Sequence, residues 1–333
     1  ADAGVLLPSP PPGAVVTVGT FDGVHRGHRA VLAALRERVD ARDARGVLVT
    51  FRPHPLQVVR PEDAPPLLTT RYEKTAALAA AGVDYALVLP FTPALARYSA
   101  RDFVQRILLR RLGMVELVVG YDHGLGRGRA GDTETLRALG RELGFDVRVV
   151  DAVDLGDAPI SSTRIRNLIA AGDVVAAAEA LGRPYGLGGR VVRGDGRGLA
   201  LGFPTANLEV ADAAKLLPAP GVYAVRARLR RYPDRDAATP LRPGDELPGA
   251  MHIGPRPTFR GASPAVEVHL IDYAGAPLYG TELDVDFCAR LRDVEAFDST
   301  DALVAAMRRD VRVARARLAS AESACQPRAD ALH

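Results

Sequence analysis

Tryptophan is absent from this chain, and phenylalanine and tyrosine together leave aromatics at only 5% of 333 residues. Stacking platforms for single-stranded nucleic acid are therefore scarce. Cysteine is nearly absent too. Cys288 and Cys325 are far apart and unclustered, which excludes a disulfide framework or a thiolate metal site and leaves a small core hydrophobe and a tail thiol. No apolar run approaches ~18 residues, so no membrane span is expected. The N-terminal stretch shows no charged region followed by an apolar one, so no secretory signal is read and the cytoplasm is the expected compartment. Surplus charge is also lacking: 43 Lys and Arg against 40 Asp and Glu give +3, without a dense basic block. That weakly favours small anionic ligands and does not make nucleic acid a partner.

What remains is an ordinary globular composition, 47% hydrophobic and 25% charged, long enough for two cores. After the stiff Pro8–Gly13 lead-in, apolar strands alternate with helical patterns. Ala14–Val18, Gly46–Phe51, Tyr85–Leu89, Val115–Val119 and Asp146–Val150 read as strands. Arg29–Asp43, Arg71–Ala81 (closed by Gly82), a helix opened by Ser99 and Asp102 and running to Leu112, and Thr133–Leu143 read as helices. This alternation predicts an α/β domain, a parallel sheet with helices on both faces. Ligands in such sheets bind beyond the carboxyl ends of the strands.

The densest stretch there is GTFDGVHRGH, Gly19–His28, between the first strand and its helix. Gly19, Gly23 and Gly27 permit tight turning and close approach of a ligand. His25 and His28 sit three apart at a helix start, where backbone N–H groups and the dipole favour an anion. Imidazoles there can steady the charge that builds on an attacked phosphate. The plain alternative, a surface turn with solvated histidines, is weakened by the strand before, the helix after and the acid inside. RPHP (Arg52–Pro55) and GYDHGLGRGRAGD (Gly120–Asp132) also follow strands and would gather at the same edge. Ser161, Ser162 and Thr163 open a further helix as caps, or else hold an anionic tail together with Arg164 and Arg166.

Near Tyr185 the pattern changes to alternating strands, Gly189–Arg193, Gly221–Leu229, Val266–Ile271 and Leu283–Ala289, separated by Pro and Gly turns, as in a small antiparallel barrel. A helix over Thr300–Leu318 closes it, and the tail after Ala319 is expected to fray. GDGRGLALGFPTAN, Gly194–Asn207, is a loop able to wrap phosphates through its backbone, with Gly194, Arg197, Gly202 and Pro204 as candidates, or a glycine-rich hairpin. Thr205 and Asn207 offer oxygens suited to Mg²⁺. Glu267, in an alternating strand, either faces water or serves as general base to a hydroxyl attacking phosphate. Arg290 and Arg292 either bind phosphate or cover the surface.

Taken together these motifs resemble the bacterial bifunctional riboflavin kinase/FMN adenylyltransferases. The likeness runs from about Val15 to Leu318. GTFDGVHRGH, TFRPHP, VVGYDHGLGRGRAGD and ISSTRIR are similar to the family's Rossmann-like nucleotidyltransferase module. LGRPY, the GD-to-PTANL loop, PAPGVYA, IGPRPTF, VEVHLID, LYG and LRD are similar to its β-barrel kinase module. The resemblance implies an adenylyltransferase domain over 1–184, a kinase domain over 185–318 and a disordered tail over 319–333. It implies transfer of the ATP γ-phosphate to riboflavin, then joining of FMN to AMP from a second ATP, giving FAD and pyrophosphate. ATP, Mg²⁺, riboflavin, FMN and FAD would be the only partners, with no nucleic acid and no membrane; an oligomeric state is not readable. His25 and His28 would act on the α-phosphate, and Gly19, Phe21, Asp22, Gly23, Gly27, Asp122, Ser161, Ser162, Thr163, Arg164 and Arg166 would hold the nucleotide. His54, Arg290 and Arg292 would contact flavin, Thr205 and Asn207 would position Mg²⁺–ATP, and Glu267 would be the base.

The chain departs from the family pattern at Thr20, Leu199 and His252, where asparagine, arginine and asparagine are common, and at Val294, where an acid is common and Glu295 follows one later. Two other readings stand beside the bifunctional enzyme: one silent module, with the altered loop at Leu199 pointing to the kinase, or a flavin- or nucleotide-binding regulator with RNA as a possible partner.

Overall fold

The computed structural model describes residues 13–194, 196–231, 241–255, 264–275 and 277–325, without the side chains of Arg197 and of residues 321–325. The chain divides into two compact units, Ala1–Ser162 and Thr163–His333.

In the first unit β1 (Ala14–Val18), α1 (Arg26–Arg42), β2 (Arg45–Arg52), α2 (Pro55–Val59), α3 (Arg71–Ala80) and β3 (Tyr85–Pro90) follow in order. After the single turn α4 (Pro93–Ala96), a helical run comprises α5 (Ala100–Phe103), a π-helical stretch over Val104–Leu109 and α6 (Arg110–Leu112). Then come β4 (Met114–Gly120), α7 (Thr133–Leu143), β5 (Asp146–Val150) and two short strands, β6 (Asp154–Leu155) and β7 (Ala158–Pro159). The sheet order is β3-β2-β1-β4-β5, all parallel. Alternate residues of each strand serve opposite faces. Val16, Val18, Val47, Val49, Leu117 and Val119 pack with Phe103, Val104, Leu108, Leu136 and Leu139 on one side. Val15, Leu48 and Val118 pack with Val31, Leu32, Leu35, Ala77 and Leu78 on the other. The expected α/β layering is what forms, and the strand order reverses between β1 and β4, where such sheets take ligands.

The unit boundary falls at the start of α8 (Ser162–Ala170), and α9 (Val174–Leu181) follows, both helices within the span assigned above to the adenylyltransferase domain. A closed barrel follows from β8 (Tyr185–Val192), β9 (Ala206–Val210), β10 (Gly221–Arg231), β11 (Glu246–Gly254), β12 (Ala265–Leu270) and β13 (Glu282–Arg292), in the order β10-β11-β12-β9-β8-β13. The single turn α10 (Arg197–Ala200) lies in the loop between β8 and β9. The long α11 runs from Thr300 to Cys325, beyond the point at which fraying was expected; residues 326–333 lie outside the described residues. Ala314 and Leu318 of α11 pack on Ala224, Ala250 and Ala289 of the barrel.

An ion pair locks that helix in place. Arg292 donates from Nε at 3.0 Å and Nη2 at 2.8 Å to the carboxylate of Asp310, which is only 7% exposed. The pair raises the Arg292 pKa, and the bidentate fork fixes orientation as well as energy. Replacing Asp310 by alanine strands a partly buried guanidinium and should destabilise the second unit by about 2–4 kcal/mol. A fall in the urea midpoint of its transition, with that of the first unit unmoved, is the expected readout.

Candidate functional sites

The turn after β1 is held in a costly shape. Phe21 and Val24 have φ of 47° and 44°, a left-handed conformation that non-glycine residues rarely adopt and that a β-branched residue resists most. Asp22 between them is 1% exposed and acts as a staple. Its Oδ2 accepts from Leu68 N at 2.9 Å; its Oδ1 accepts from Thr69 N at 3.0 Å and Thr69 Oγ1 at 2.9 Å. Thr69 Oγ1 in turn accepts from Gly23 N at 3.1 Å, and the Asp22 carbonyl accepts from Ser162 Oγ at 3.0 Å. Asp22 was read above as a nucleotide contact; in the structure its carboxylate is taken up in bracing the turn. The Thr20 carbonyl is likewise fixed, by Lys74 Nζ at 2.9 Å and Thr50 Oγ1 at 3.1 Å.

The staple delivers the two histidines. His25 is the N-cap of α1, and its Nδ1 accepts from His28 N at 3.3 Å, so a neutral His25 carries its proton on Nε2. The two imidazoles stack with centroids 3.7 Å apart and planes 18° apart, and Phe21 lies 4.9 Å from His28. A Cβ at Gly27 would crowd the His25 ring at 3.2 Å, and one at Gly19 would meet Phe21 at 3.0 Å. Burial, then His25, then Lys74 hold the His28 pKa well below the usual imidazole value. Its Nδ1 is buried with no hydrogen-bond partner. A stacked pair of imidazoles at a helix N-terminus presents ring nitrogens and the helix dipole to an anion.

His54 does not project freely: its Nδ1 accepts from Leu56 N at 3.3 Å as the cap of α2. Asp122 is exposed, and its carbonyl accepts from Arg129 Nη2 at 2.6 Å. The neighbouring His123 has a buried Nε2 without a partner, and burial with the nearby Arg129 pushes its pKa down to about 4. Neither Lys74 nor His123 is prominent in the sequence; a lysine in an alanine-rich helix and a histidine in a glycine-rich loop carry no local signal. Ser161 and Ser162 belong to the first unit, and Thr163, Arg164 and Arg166 to the second.

On the barrel, cross-strand registers draw one row of polar residues, interrupted by Val222. Asn207 of β9 lies opposite Glu267 of β12, Glu267 opposite His252 of β11, His252 opposite Val222 of β10, and Val222 opposite Arg292 of β13. Opposed residues share a face, and here it is the face α11 covers, since Val266, Val268 and Leu270 turn the other way into the buried set. Burial lowers the His252 pKa, Glu267 opposes that shift, and Arg292 adds to it. The glycine-rich loop is pinned to this row. His269 Nδ1 donates to Pro204 O at 2.9 Å, Phe203 meets the His269 ring edge-on at 5.4 Å, and Phe203 N donates to Gly198 O at 2.8 Å. A Cβ at Gly194 would collide with the Asn207 amide, and one at Gly198 would meet Thr205 Oγ1 at 3.1 Å. Gly202 takes φ 81°. Asp195 and the side chain of Arg197 lie outside the described residues.

Arg290 and Arg292, read above as flavin contacts, are engaged elsewhere. Arg290 Nη2 donates to Pro220 O at 2.8 Å and pairs with Asp293 at 2.9 Å; Arg292 holds Asp310. Among the described residues no cluster of three His, Cys, Asp or Glu could cage a metal. The hydroxyl of Thr205 and the amide of Asn207 fit a Mg²⁺ that keeps its waters and arrives with substrate phosphates.

A wound sheet with paired imidazoles at its switch point and a closed barrel with a glycine loop beside a carboxylate define a two-module, nucleotide-using phosphotransferase. Residues 7–164 match the FAD synthetase family model and residues 181–318 the riboflavin kinase family model. The bifunctional riboflavin kinase/FMN adenylyltransferase of Escherichia coli (strain K12) is 38% identical over 93% of this chain and 94% of its own length. That of Pseudomonas fluorescens is 41% identical over 91% and 93%. A solved structure from Streptococcus pneumoniae, described as a macrolide-efflux protein, superposes with a TM-score of 0.80 at 29% identity, covering 92% of this chain and 95% of that one. Among the described residues of the present chain no helix is long and apolar enough to cross a membrane. The chain belongs to the bifunctional riboflavin kinase/FMN adenylyltransferase family.

Asp22→Ala would leave the N–H groups of Leu68 and Thr69 buried and unpaired, at about 1–3 kcal/mol each. The first unit should lose at least about 2 kcal/mol, read from its thermal midpoint, along with its activity. Acid acts through the histidines. The folded pKa values of His28 and His123 lie below the unfolded value of about 6.5, so the unfolded chain binds more protons in that window and stability falls as pH drops from about 7 to 5. His123→Gln should flatten that decline in the first unit's unfolding midpoint.

Proposed function

We propose that this chain makes FAD in two steps, phosphorylating riboflavin on the barrel and adenylylating FMN on the wound sheet. The observation that carries the reading is the co-occurrence of two phosphate cradles of different construction, the stacked His25–His28 pair at the start of α1 and the Gly194–Asn207 loop beside Glu267.

On the barrel, Glu267 takes the proton of the ribityl 5′-hydroxyl as its oxygen attacks the γ-phosphorus of ATP. The bond to the β-phosphate oxygen breaks and ADP leaves with the electron pair. Thr205 and Asn207 would hold the Mg²⁺ that accompanies ATP, and its charge would offset that of the phosphates. On the sheet, a phosphate oxygen of FMN attacks the α-phosphorus of a second ATP, and pyrophosphate leaves. His25 and His28 donate to the α-phosphate oxygens, and the helix dipole supports the charge gathering there. Gly19, Phe21, Gly23 and Gly27 shape the cradle, Asp122 flanks it, and Ser161 and Ser162 hold the departing end. The reactions run in the cytoplasm.

A second reading, in which the barrel is slow, is favoured by one feature. Leu199 stands 71% exposed on α10, where it puts an apolar group in the phosphate loop. Purified protein incubated with riboflavin, ATP and Mg²⁺, with products separated by chromatography, decides between the two: accumulation of FAD supports both modules, and FAD only from added FMN identifies a silent barrel. His28→Ala should stop FAD formation while FMN accumulates, and Glu267→Gln should stop FMN formation while added FMN is still adenylylated, each by about 100-fold or more. Loss of both steps in either folded variant would contradict separate sites.

A further inference from the structure

Adenylyl transfer brings a phosphate monoester dianion against a polyphosphate, so the acceptor phosphate needs cations of its own. His28 does not supply one: burial holds its pKa well below the usual imidazole value. Two other side chains meet at the same edge. Lys74, on α3, reaches over the turn to donate from Nζ to Thr20 O at 2.9 Å. That uses one of its three N–H groups. Arg52 is the last residue of β2, exposed at the strand's carboxyl end, with its carbonyl fixed by Phe91 N at 2.8 Å. β2 lies beside β1, so Arg52 ends the strand next to the one that leads into the histidine turn.

The two cations act on each other as well: Arg52 lowers the Lys74 pKa, after the larger effect of burial, and nearby Asp22 opposes both. The Asp22 oxygens accept from Leu68 and Thr69, and its single negative charge offsets only part of the field of the two cations. Among the described residues neither Lys74 nor Arg52 forms an ion pair. Two cations near one carboxylate leave a net positive charge at this edge, which is what a dianion site requires before its ligand arrives.

We infer that Lys74 and Arg52 bind the phosphate of the acceptor flavin nucleotide, holding it beside the His25–His28 pair for attack. The inference rests on the adenylyl-transfer reading of the first unit. Phosphate could also come from the β- and γ-groups of ATP, and kinetics separate the two sources. Initial rates of FAD formation by the full chain are measured with FMN and ATP varied independently. Arg52→Ala, at an exposed position, should raise KM for FMN by about tenfold or more and change KM for ATP by less than about twofold. Lys74→Met should do the same, and Lys74→Arg should recover most of the loss, which a mere tether to Thr20 would not require. An unchanged KM for FMN in Arg52→Ala overturns the inference, and so does a rise confined to KM for ATP, which would assign the cations to the polyphosphate. His28→Ala in the same assay keeps the two failures apart: FAD formation persisting there sinks the adenylyl-transfer reading itself.

Discussion

The carboxylate of Asp22 is the constraint on which the first site depends. Phe21 and Val24 occupy backbone conformations that cost on the order of 1–3 kcal/mol each, and nothing local repays that cost. Three donors from Leu68 and Thr69, far along the chain, converge on Asp22 and hold the turn. The strained turn sets His25 as the cap of α1 and lays His28 against it. Strain, staple and imidazole pair are one assembly at the start of α1.

The barrel solves a related problem by different means. Its closed sheet has no free edge, so the polar row from Asn207 through Glu267 to His252 is fixed by strand register rather than by a strained turn. The glycine-rich loop is anchored to the same strand by His269, two residues from Glu267. Glycine serves both sites by absence. At Gly27 a side chain would crowd the His25 ring, and at Gly194 it would collide with the Asn207 amide. Arg292, at the far end of the row, spends its charge on Asp310 and so positions α11 over that face.

Much of this was legible in the amino-acid sequence, and what was missed has identifiable causes. The five parallel strands were readable because β-branched runs alternated with amphipathic helices, and the barrel because that alternation gave way to Pro- and Gly-separated strands. Two barrel strands escaped. β11 contains Pro248 and Gly249, which argue against a strand, and β9 begins inside the PTAN motif, which reads as loop. The stacked pair His25 and His28 was visible from its spacing. The part played by Asp22 was not, since local sequence does not reveal that Thr69 will lie against it. Lys74 was hidden for the same reason: only the fold of α3 over the turn brings it to Thr20. Arg290 and Arg292 looked available because a strand pattern cannot show that Pro220, Asp293 and Asp310 await them.

The central claim is that one chain performs two distinct cleavages of ATP, at the γ-phosphorus on the barrel and at the α-phosphorus on the sheet. Feeding the full-length protein riboflavin with ATP labelled either at the α- or at the γ-phosphorus tests it directly. The account predicts FAD carrying label from both, the γ-label in the phosphate next to the ribityl chain and the α-label in the phosphate next to adenosine. FAD labelled from only one position, or a flavin product that never gains the α-label, would contradict it.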